Sequence, residues 1–369
     1  MNISELQTPC LIADMEKVRA NIQRMQEAAT AFGCALRPHI KTHKSVEIAH
    51  QQLAQGACGI TCAKLSEAEI FVGAGIVDIF VAYPLIGEMK FCRALALKKQ
   101  VKRLILAIDS LAGAKALSDF AIAENTVFEV RLEVDTGAKR SGAVFDQLVE
   151  IGKALKVLPG LDVTGVYTFK SMIYENKATL DANAAGKEEG RFIAEAAAKL
   201  RGLGLRIDDI SAGSTPTGLA AAETGLVNEI RPGTYVYHDW MTFKQGACRE
   251  SDIATHIMAT VVSTPTPELA VIDAGTKTLA ADVRLYTPPL DFPGFAYVVG
   301  REDLVLDRMN EEHGMLRHVR NEKTGLTIGD RLRLIPAHIC TAVNLHDDIY
   351  ALEDGVFRKL LVDARGRVW

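Results

Sequence analysis

The chain has 369 residues, 48% of them apolar and 24% charged, with a formal net charge of −4; this is ordinary for a globular protein and long enough for one large domain plus a smaller one. The slight excess of acid, and the absence of any Lys/Arg block that could track a phosphate backbone, exclude a nucleic-acid or membrane partner held by bulk charge. No basic-then-apolar leader is legible at 1–9 and no apolar run approaches the roughly 18 residues of a membrane span, so the expected location is cytoplasmic.

The first expected element is a short strand, Thr8 to Asp14. An amphipathic helix follows over Met15 to Phe32, with Val18, Ile22, Met25, Ala28 and Ala29 on one face, until Gly33 stops it. From there one theme repeats: apolar strand, polar or glycine-bearing turn, helix. The spacing predicts strands at Ala35 to Ile40, Gly59 to Ala63, Ile79 to Ala82, Leu104 to Ile108, Phe128 to Val134, Val163 to Thr168, Asp209 to Ala212 and Val227 to Tyr237. Helices fall between them at Val46 to Leu53, Ser66 to Gly73, Lys90 to Lys99, Leu111 to Ile122, Phe145 to Leu155, Ala178 to Leu203 and Thr217 to Thr224. Eight strands alternating with helices are what a closed (β/α)8 TIM-type barrel requires, although a doubly wound open sheet produces a similar alternation. After Gly246 come short runs parted by Pro, Gly, Asp and Asn: Ile257 to Ser263, Leu269 to Asp273, Phe295 to Val299, Met315 to Val319, Arg331 to Ile335, Asp348 to Leu352 and Val356 to Val362. They predict a mainly antiparallel β domain. The expected domains are an N-terminal strand at 1–14 joining the β domain, the barrel at 15–245 and the β domain at 246–369.

Chemistry is suggested first at Leu36-Arg-Pro-His-Ile-Lys-Thr-His-Lys-Ser45. Read as a strand, it puts Arg37, His39, Lys41 and His43 on one face. Crowded cations repel unless an anion or a neutralised group sits among them, and a lysine in such company has its neutral amine favoured, able to condense with an aldehyde. An edge strand with one wet basic face has the same pattern. In a barrel the working residues sit where strands give way to loops, and Lys41, Arg140, Tyr167, Ser214 and Gly233 fall there in order. Ser211-Ala-Gly-Ser-Thr-Pro-Thr217 leads into a helix and suits a phosphate held by backbone N–H groups; Arg231-Pro-Gly-Thr-Tyr235 adds a further glycine and hydroxyl. Each is equally an ordinary helix cap or turn. His338 and Cys340, two apart on an expected strand, point the same way, and imidazole with thiolate suits zinc while leaving positions for water or substrate. Packing residues on a buried strand look alike. The seven cysteines are odd in number and widely spread, which argues against a disulfide framework, and Cys58-Gly-Ile-Thr-Cys62 has no second pair to complete a zinc knuckle.

Arg-Pro-His-Ile-Lys-Thr-His-Lys at 37–44, Glu-Val-Asp-Thr-Gly-Ala-Lys-Arg-Ser-Gly at 133–142, Ser-Ala-Gly-Ser-Thr-Pro-Thr, Arg-Pro-Gly-Thr-Tyr, Glu-Glu-His-Gly at 311–314 and His-x-Cys occur in this order. In these motifs the chain resembles the family of D-threonine aldolases and eukaryotic-type D-serine dehydratases, fold-type III pyridoxal-phosphate enzymes related to alanine racemase. The resemblance runs over essentially the whole chain. It implies an alanine racemase-like barrel followed by a β domain that takes in the N-terminal strand, pyridoxal 5'-phosphate as cofactor, a divalent metal (zinc favoured, manganese or magnesium as alternatives) and a homodimer. Lys41 would bind the cofactor covalently, Arg140 would contact its ring oxygen, Arg231 would face the pyridine nitrogen and Tyr167 would flank the ring. Ser214, Thr215, Gly233 and Thr234 would hold the phosphate, with His39 and Tyr235 also at the cofactor. His338 and Cys340 would be the metal ligands, and Glu311 to Gly314 would lie close to an active site, its own or a partner subunit's. One departure stands out: Tyr167-Thr-Phe-Lys-Ser-Met172 replaces the histidine or small polar residues usual after the tyrosine.

The activity so implied is a lyase acting on a D-3-hydroxy amino acid. Removal of the Cα proton and loss of the β-hydroxyl would yield a 2-oxo acid and ammonia; deprotonation of that hydroxyl would instead cleave Cα–Cβ and yield glycine and an aldehyde. Relatives that eliminate water tend to carry cysteine at the second ligand position, so Cys340 favours dehydration, while Thr341-Ala-Val-Asn344 resembles the aldolases. An amino-acid racemase needs a second base and no metal, and a pyridoxal-phosphate carrier lacks the β domain. No specificity code is legible near Phe169, Tyr174 and Tyr237.

Overall fold

The computed structural model describes residues 5–369, in two compact units. One comprises Arg24–Lys41, Ala49–Gly233 and Arg367–Trp369. The other takes the N-terminal segment to Gln23, Thr42–Ile48 and Thr234–Gly366. The β-rich unit thus begins at Thr234, twelve residues before the change of texture at Gly246, because the turn and short helix over Thr234–Lys244 belong with it.

After β1 (Cys10–Asp14), the strands of the first unit are β2 (Ala35–Leu36), β3 (Ile60–Cys62), β4 (Asp78–Pro84), β5 (Arg103–Ile108), β6 (Phe128–Glu133) and β7 (Leu161–Tyr167). A small hairpin of β8 (Ile173–Tyr174) and β9 (Lys177–Ala178) precedes β10 (Asp209–Ala212) and β11 (Glu229–Ile230). Eight of these, without the hairpin, pair in the order β2-β11-β10-β7-β6-β5-β4-β3, every pair parallel. A parallel bridge between His39 and Thr61 joins the two ends, with Ile40 N donating to Thr61 O at 3.0 Å and Thr61 N to Pro38 O at 2.8 Å. The sheet is therefore a closed barrel, and the open alternative is excluded. Its strands are near-continuous apolar runs, such as buried Ile79-Phe-Val81 and Leu104 to Ile108, as a sheet covered on both faces demands.

The amino end of the barrel is built differently. Asp78, Arg103, Asp209 and Glu229 each open a strand, and they interlock with Arg37, Glu129 and Arg131 in a lattice of ion pairs. Buried Glu229 is its hub, accepting from Arg37 Nε at 2.7 Å, Arg131 Nη1 at 2.5 Å and Ser211 Oγ at 2.6 Å.

In the second unit, β12 (Thr255–Thr266), β13 (Leu269–Ile272), β14 (Ala296–Val298), β15 (Leu304–Met309), β16 (Gly314–His318), β17 (Arg331–Pro336), β18 (Asp348–Glu353) and β19 (Val356–Leu361) follow. With β1 they form a nine-stranded sheet, mainly antiparallel, in which β1 lies between β12 and β18. The N-terminal strand thus pairs within this sheet, antiparallel with β12 and parallel with β18. Leu6, Cys10, Ile12, Met258 and Phe357 pack together in its core. All seven cysteines are free, and no helix among the described residues is long and apolar enough to cross a membrane.

Three local expectations are corrected. The basic stretch at 36–45 is not one strand: β2 ends at Leu36, and a turn occupies 40–43. Arg37, His39, Lys41 and His43 do not share a face, since Arg37 is buried in ion pairs of the barrel while His43 is buried in the other unit. Val227 to Tyr237 is a strand only at Glu229–Ile230, because Pro232 lacks the N–H a ladder needs and Thr234–Val236 is a 3-10 turn. His338 and Cys340 are not on a strand either. His338 caps, and Cys340 lies within, a short helix, Ile339–Val343.

Candidate active site

Candidate residues of the barrel gather past the carboxyl ends of its strands. Lys41 stands in the turn after β2, its backbone N–H near His39 Nδ1 at 3.4 Å, while His39 N donates to Pro232 O at 3.0 Å. This ties the lysine turn to the Arg231–Gly233 segment. The half-buried Lys41 amine lies 5.7 Å from the centre of the Phe169 ring, and the Arg140 guanidinium lies 4.8 Å from the same ring. No carboxylate within the described residues forms an ion pair with Lys41.

Tyr167, the last residue of β7, is buried and packs edge to face on Phe80 at 5.0 Å. Its phenol donates to Glu133 Oε2 at 3.0 Å, and Ser141 Oγ donates to Glu133 Oε1 at 3.0 Å. Burial pushes the Glu133 carboxyl up, against those two bonds and the nearby Arg140. The Tyr167 phenol is raised well above its ordinary value by burial and then by Glu133. Arg231 lies over the Tyr167 ring at 5.2 Å and donates to Thr168 O at 2.5 Å and to Ser211 Oγ. Burial, with no direct carboxylate partner among the described residues, lowers its pKa.

The loop after β10 turns at Gly213, where φ is +81° and a Cβ would meet Gly218 Cα at 2.5 Å, so only glycine fits. Ser214 N and Oγ both lie 3.0 Å from Thr217 Oγ1, and Arg231 N reaches Gly213 O at 3.4 Å. Beneath it buried Glu189 accepts from Thr217 Oγ1 at 3.0 Å and Lys170 N at 2.9 Å. Thr215, next in this loop, is also buried.

The second unit holds the other cluster. Cys340 Sγ is 3.1 Å from Thr42 Oγ1 and 3.6 Å from Thr234 Oγ1. The His338 ring bonds to Cys340 and, through Nδ1, to Asp282 Oδ2 at 2.6 Å. Burial alone would lower the imidazole pKa, yet Cys340 and Asp282 carry it up to about 11. Buried Asp239 accepts from Ile339 N at 3.0 Å and from Thr242 N at 2.8 Å, which fixes the start of the short helix. Tyr235 is buried in the preceding turn. Glu311, Glu312 and His313 lie on the exposed turn between β15 and β16, with Glu312 paired to Lys277 at 2.6 Å.

Sequence reasoning quoted Glu133 at the head of the 133–142 motif without a role for it, and missed Glu189, Asp239 and Asp282. Only Asp239 left a local trace, an aspartate three residues before Thr242 that forms a reciprocal cap. The residues present fit the implied groups. An amine free of carboxylates suits an aldehyde, the tight hydroxyl-bearing turn at 213–217 suits a phosphate, and the nitrogen and sulfur of His338 and Cys340 suit zinc. Among the described residues no group of three His, Cys, Asp or Glu could hold a metal by itself.

Residues 13–239 match the alanine racemase N-terminal domain, and residues 254–352 match the putative serine dehydratase domain. D-threo-3-hydroxyaspartate dehydratase of Delftia sp. (strain HT23) is 36% identical over 91% of each chain. D-threonine aldolase of Arthrobacter sp. is 31% identical over 99% of this chain and 94% of its own. A solved structure of a cysteine-to-alanine mutant of D-threo-3-hydroxyaspartate dehydratase, in the metal-free form, superposes with a TM-score of 0.91 at 33% identity, covering 100% of both chains. By domain content and by end-to-end likeness, the chain belongs to the D-threonine aldolase and D-serine dehydratase family, lyases of the fold-type III pyridoxal-phosphate class.

Proposed function

We propose that this protein is a pyridoxal-phosphate- and zinc-dependent dehydratase of D-3-hydroxy amino acids, releasing a 2-oxo acid and ammonia. The observation that carries the reading is the imidazole–thiol pair of His338 and Cys340, a soft donor set suited to zinc. Pyridoxal phosphate when bound supplies an electron sink that acidifies the substrate's Cα–H, and a divalent ion supplies a Lewis acid for the β-hydroxyl.

The chain's own residues divide the remaining work. Lys41 Nζ would hold the cofactor and, once the substrate amine has replaced it, take the proton from Cα. Ser214, Thr215, Gly233 and Thr234 would hold the phosphate, Arg140 the ring oxygen and Arg231 the ring nitrogen, with Tyr167, His39 and Tyr235 beside them. His338 Nε2 and Cys340 Sγ would hold the ion. Thr42, next in sequence to Lys41, and Thr234, next to Gly233, both lie against Cys340. The β-hydroxyl would leave as water with the proton that Lys41 took from Cα, and the released enamine would tautomerise to an imine and hydrolyse to the 2-oxo acid and ammonia.

Retro-aldol cleavage is the second reading, favoured by the likeness to the Arthrobacter aldolase. Incubation of the loaded protein with D-serine, D-threonine and D-threo-3-hydroxyaspartate separates the two. Oxo acid with ammonia is the expected outcome; glycine with an aldehyde overturns dehydration, and inertness toward all three overturns the lyase assignment.

A further inference from the structure

We infer that Asp282 is the positioning residue of the metal centre, holding the His338 imidazole in the tautomer and orientation that a metal requires. The inference rests on the metal reading above and concerns a residue outside every motif that carries the family resemblance.

A carboxylate can only accept hydrogen bonds, so its 2.6 Å contact with His338 Nδ1 keeps a ring proton on that nitrogen and makes Nε2 the one a metal would deprotonate and bind. The other carboxylate oxygen is also committed: Thr341 Oγ1 donates to Asp282 Oδ1 at 2.9 Å, from the helix that His338 caps. Two bonds to two residues of one turn fix the carboxylate plane, and with it the rotation of the ring. The backbone is secured separately, by Asp239 accepting from Ile339 N. With both oxygens of Asp282 engaged, it acts through the histidine and does not itself complete the donor set. A carboxylate bonded to the far nitrogen of a metal-binding histidine sets ring orientation and raises ligand basicity, and loss of such a partner weakens metal binding about 10- to 100-fold. Asp282 comes from a segment without regular secondary structure 56 residues earlier in the chain, so no local pattern announces it.

The test is the zinc affinity of the cofactor-loaded protein, measured by competition with a chromophoric chelator, for wild type and for Asp282→Ala, Asp282→Asn, Thr341→Val and His338→Ala. Both Asp282 variants are expected to bind zinc about 10- to 100-fold more weakly, with Thr341→Val between them and wild type. Their visible cofactor spectra should match wild type, while the metal-free unfolding midpoint, read in excess chelator, reports separately what the Asp282–His338 pair gives the fold. Affinities within twofold of wild type in both Asp282 variants overturn the inference alone. If wild type binds no zinc, or His338→Ala binds it equally well, the metal reading falls and takes this inference with it.

Discussion

Replacing Glu229 by Gln should cost the barrel about 3–5 kcal/mol, the usual penalty for breaking a buried ion pair from one side. Glu229 is 3% exposed and receives three donors, two of them guanidinium groups that are themselves buried. Glutamine is nearly isosteric, so no cavity opens. What changes is charge: Arg37 retains Asp78 at 2.6 Å and Arg131 retains Asp209 at 2.7 Å, but each loses its closest buried anion. One amide hydrogen of the new side chain must also face a cation. Against a total stability of roughly 5–15 kcal/mol the loss is large, and on heating it should appear as a fall in midpoint on the order of 10 °C. The dependence on pH adds a second signature. Burial would raise this carboxyl, yet Arg131 and Arg37 hold it well below 4.5, its ordinary value. A depressed folded pKa contributes stability that is fully present above the unfolded value and lost as pH falls through the folded one. The wild-type protein should therefore weaken on acidification below about pH 4.5, and the glutamine variant should lack that component. Denaturant unfolding at neutral pH and along an acid series measures both. A loss below about 1 kcal/mol, or an unchanged acid slope, would refute the claim that this lattice holds the barrel's amino end together.

Lys41→Ala should abolish the visible absorbance of covalently bound cofactor, and a variant that still carries the cofactor covalently contradicts the assignment of the lysine. Tyr167→Phe should cost about 1–3 kcal/mol, since it strips one donor from the buried Glu133 carboxylate; unchanged unfolding would show that Glu133 finds another partner. His256, pushed down to about 4 by burial and then by Arg333 and Lys17, contributes stability present above the ordinary 6.5 and lost as pH falls toward 4. His256→Gln should flatten unfolding free energy across that window, and an equally steep slope in the variant refutes the assignment. Chelation should remove activity with little loss of cofactor, and an enzyme indifferent to chelators would take the metal out of the mechanism.

Much of the barrel was legible because parallel strands buried on both faces announce themselves as unbroken apolar runs, as Ile79 to Ala82 and Leu104 to Ile108 do. Leu304–Met309 escaped notice because it is an edge strand, where charge is the expected guard against stray pairing; its Asp307 pairs with Arg317 on the neighbouring strand at 2.8 Å. The basic stretch misled because alternation records which side chains could share a face, while the partners that decide lie far off. Arg37 turns inward to Glu229, 192 residues away. His338 and Cys340 were found as a pair and misplaced as to element, since the helix that bears them starts where Asp239 receives Ile339 N, 100 residues from it in sequence.

The ionic floor of the barrel also sets how the protein responds to warmth. Hydration of charged groups becomes less favourable as temperature rises, whereas the gain from burying hydrocarbon levels off. Each degree of heating thus lowers the penalty for keeping Arg37, Arg131 and Glu229 dry, while the apolar strands above them gain little more. The end of the barrel opposite the candidate catalytic lysine becomes relatively firmer as the molecule is warmed, so the loops that carry the chemistry can loosen first without the staves coming apart.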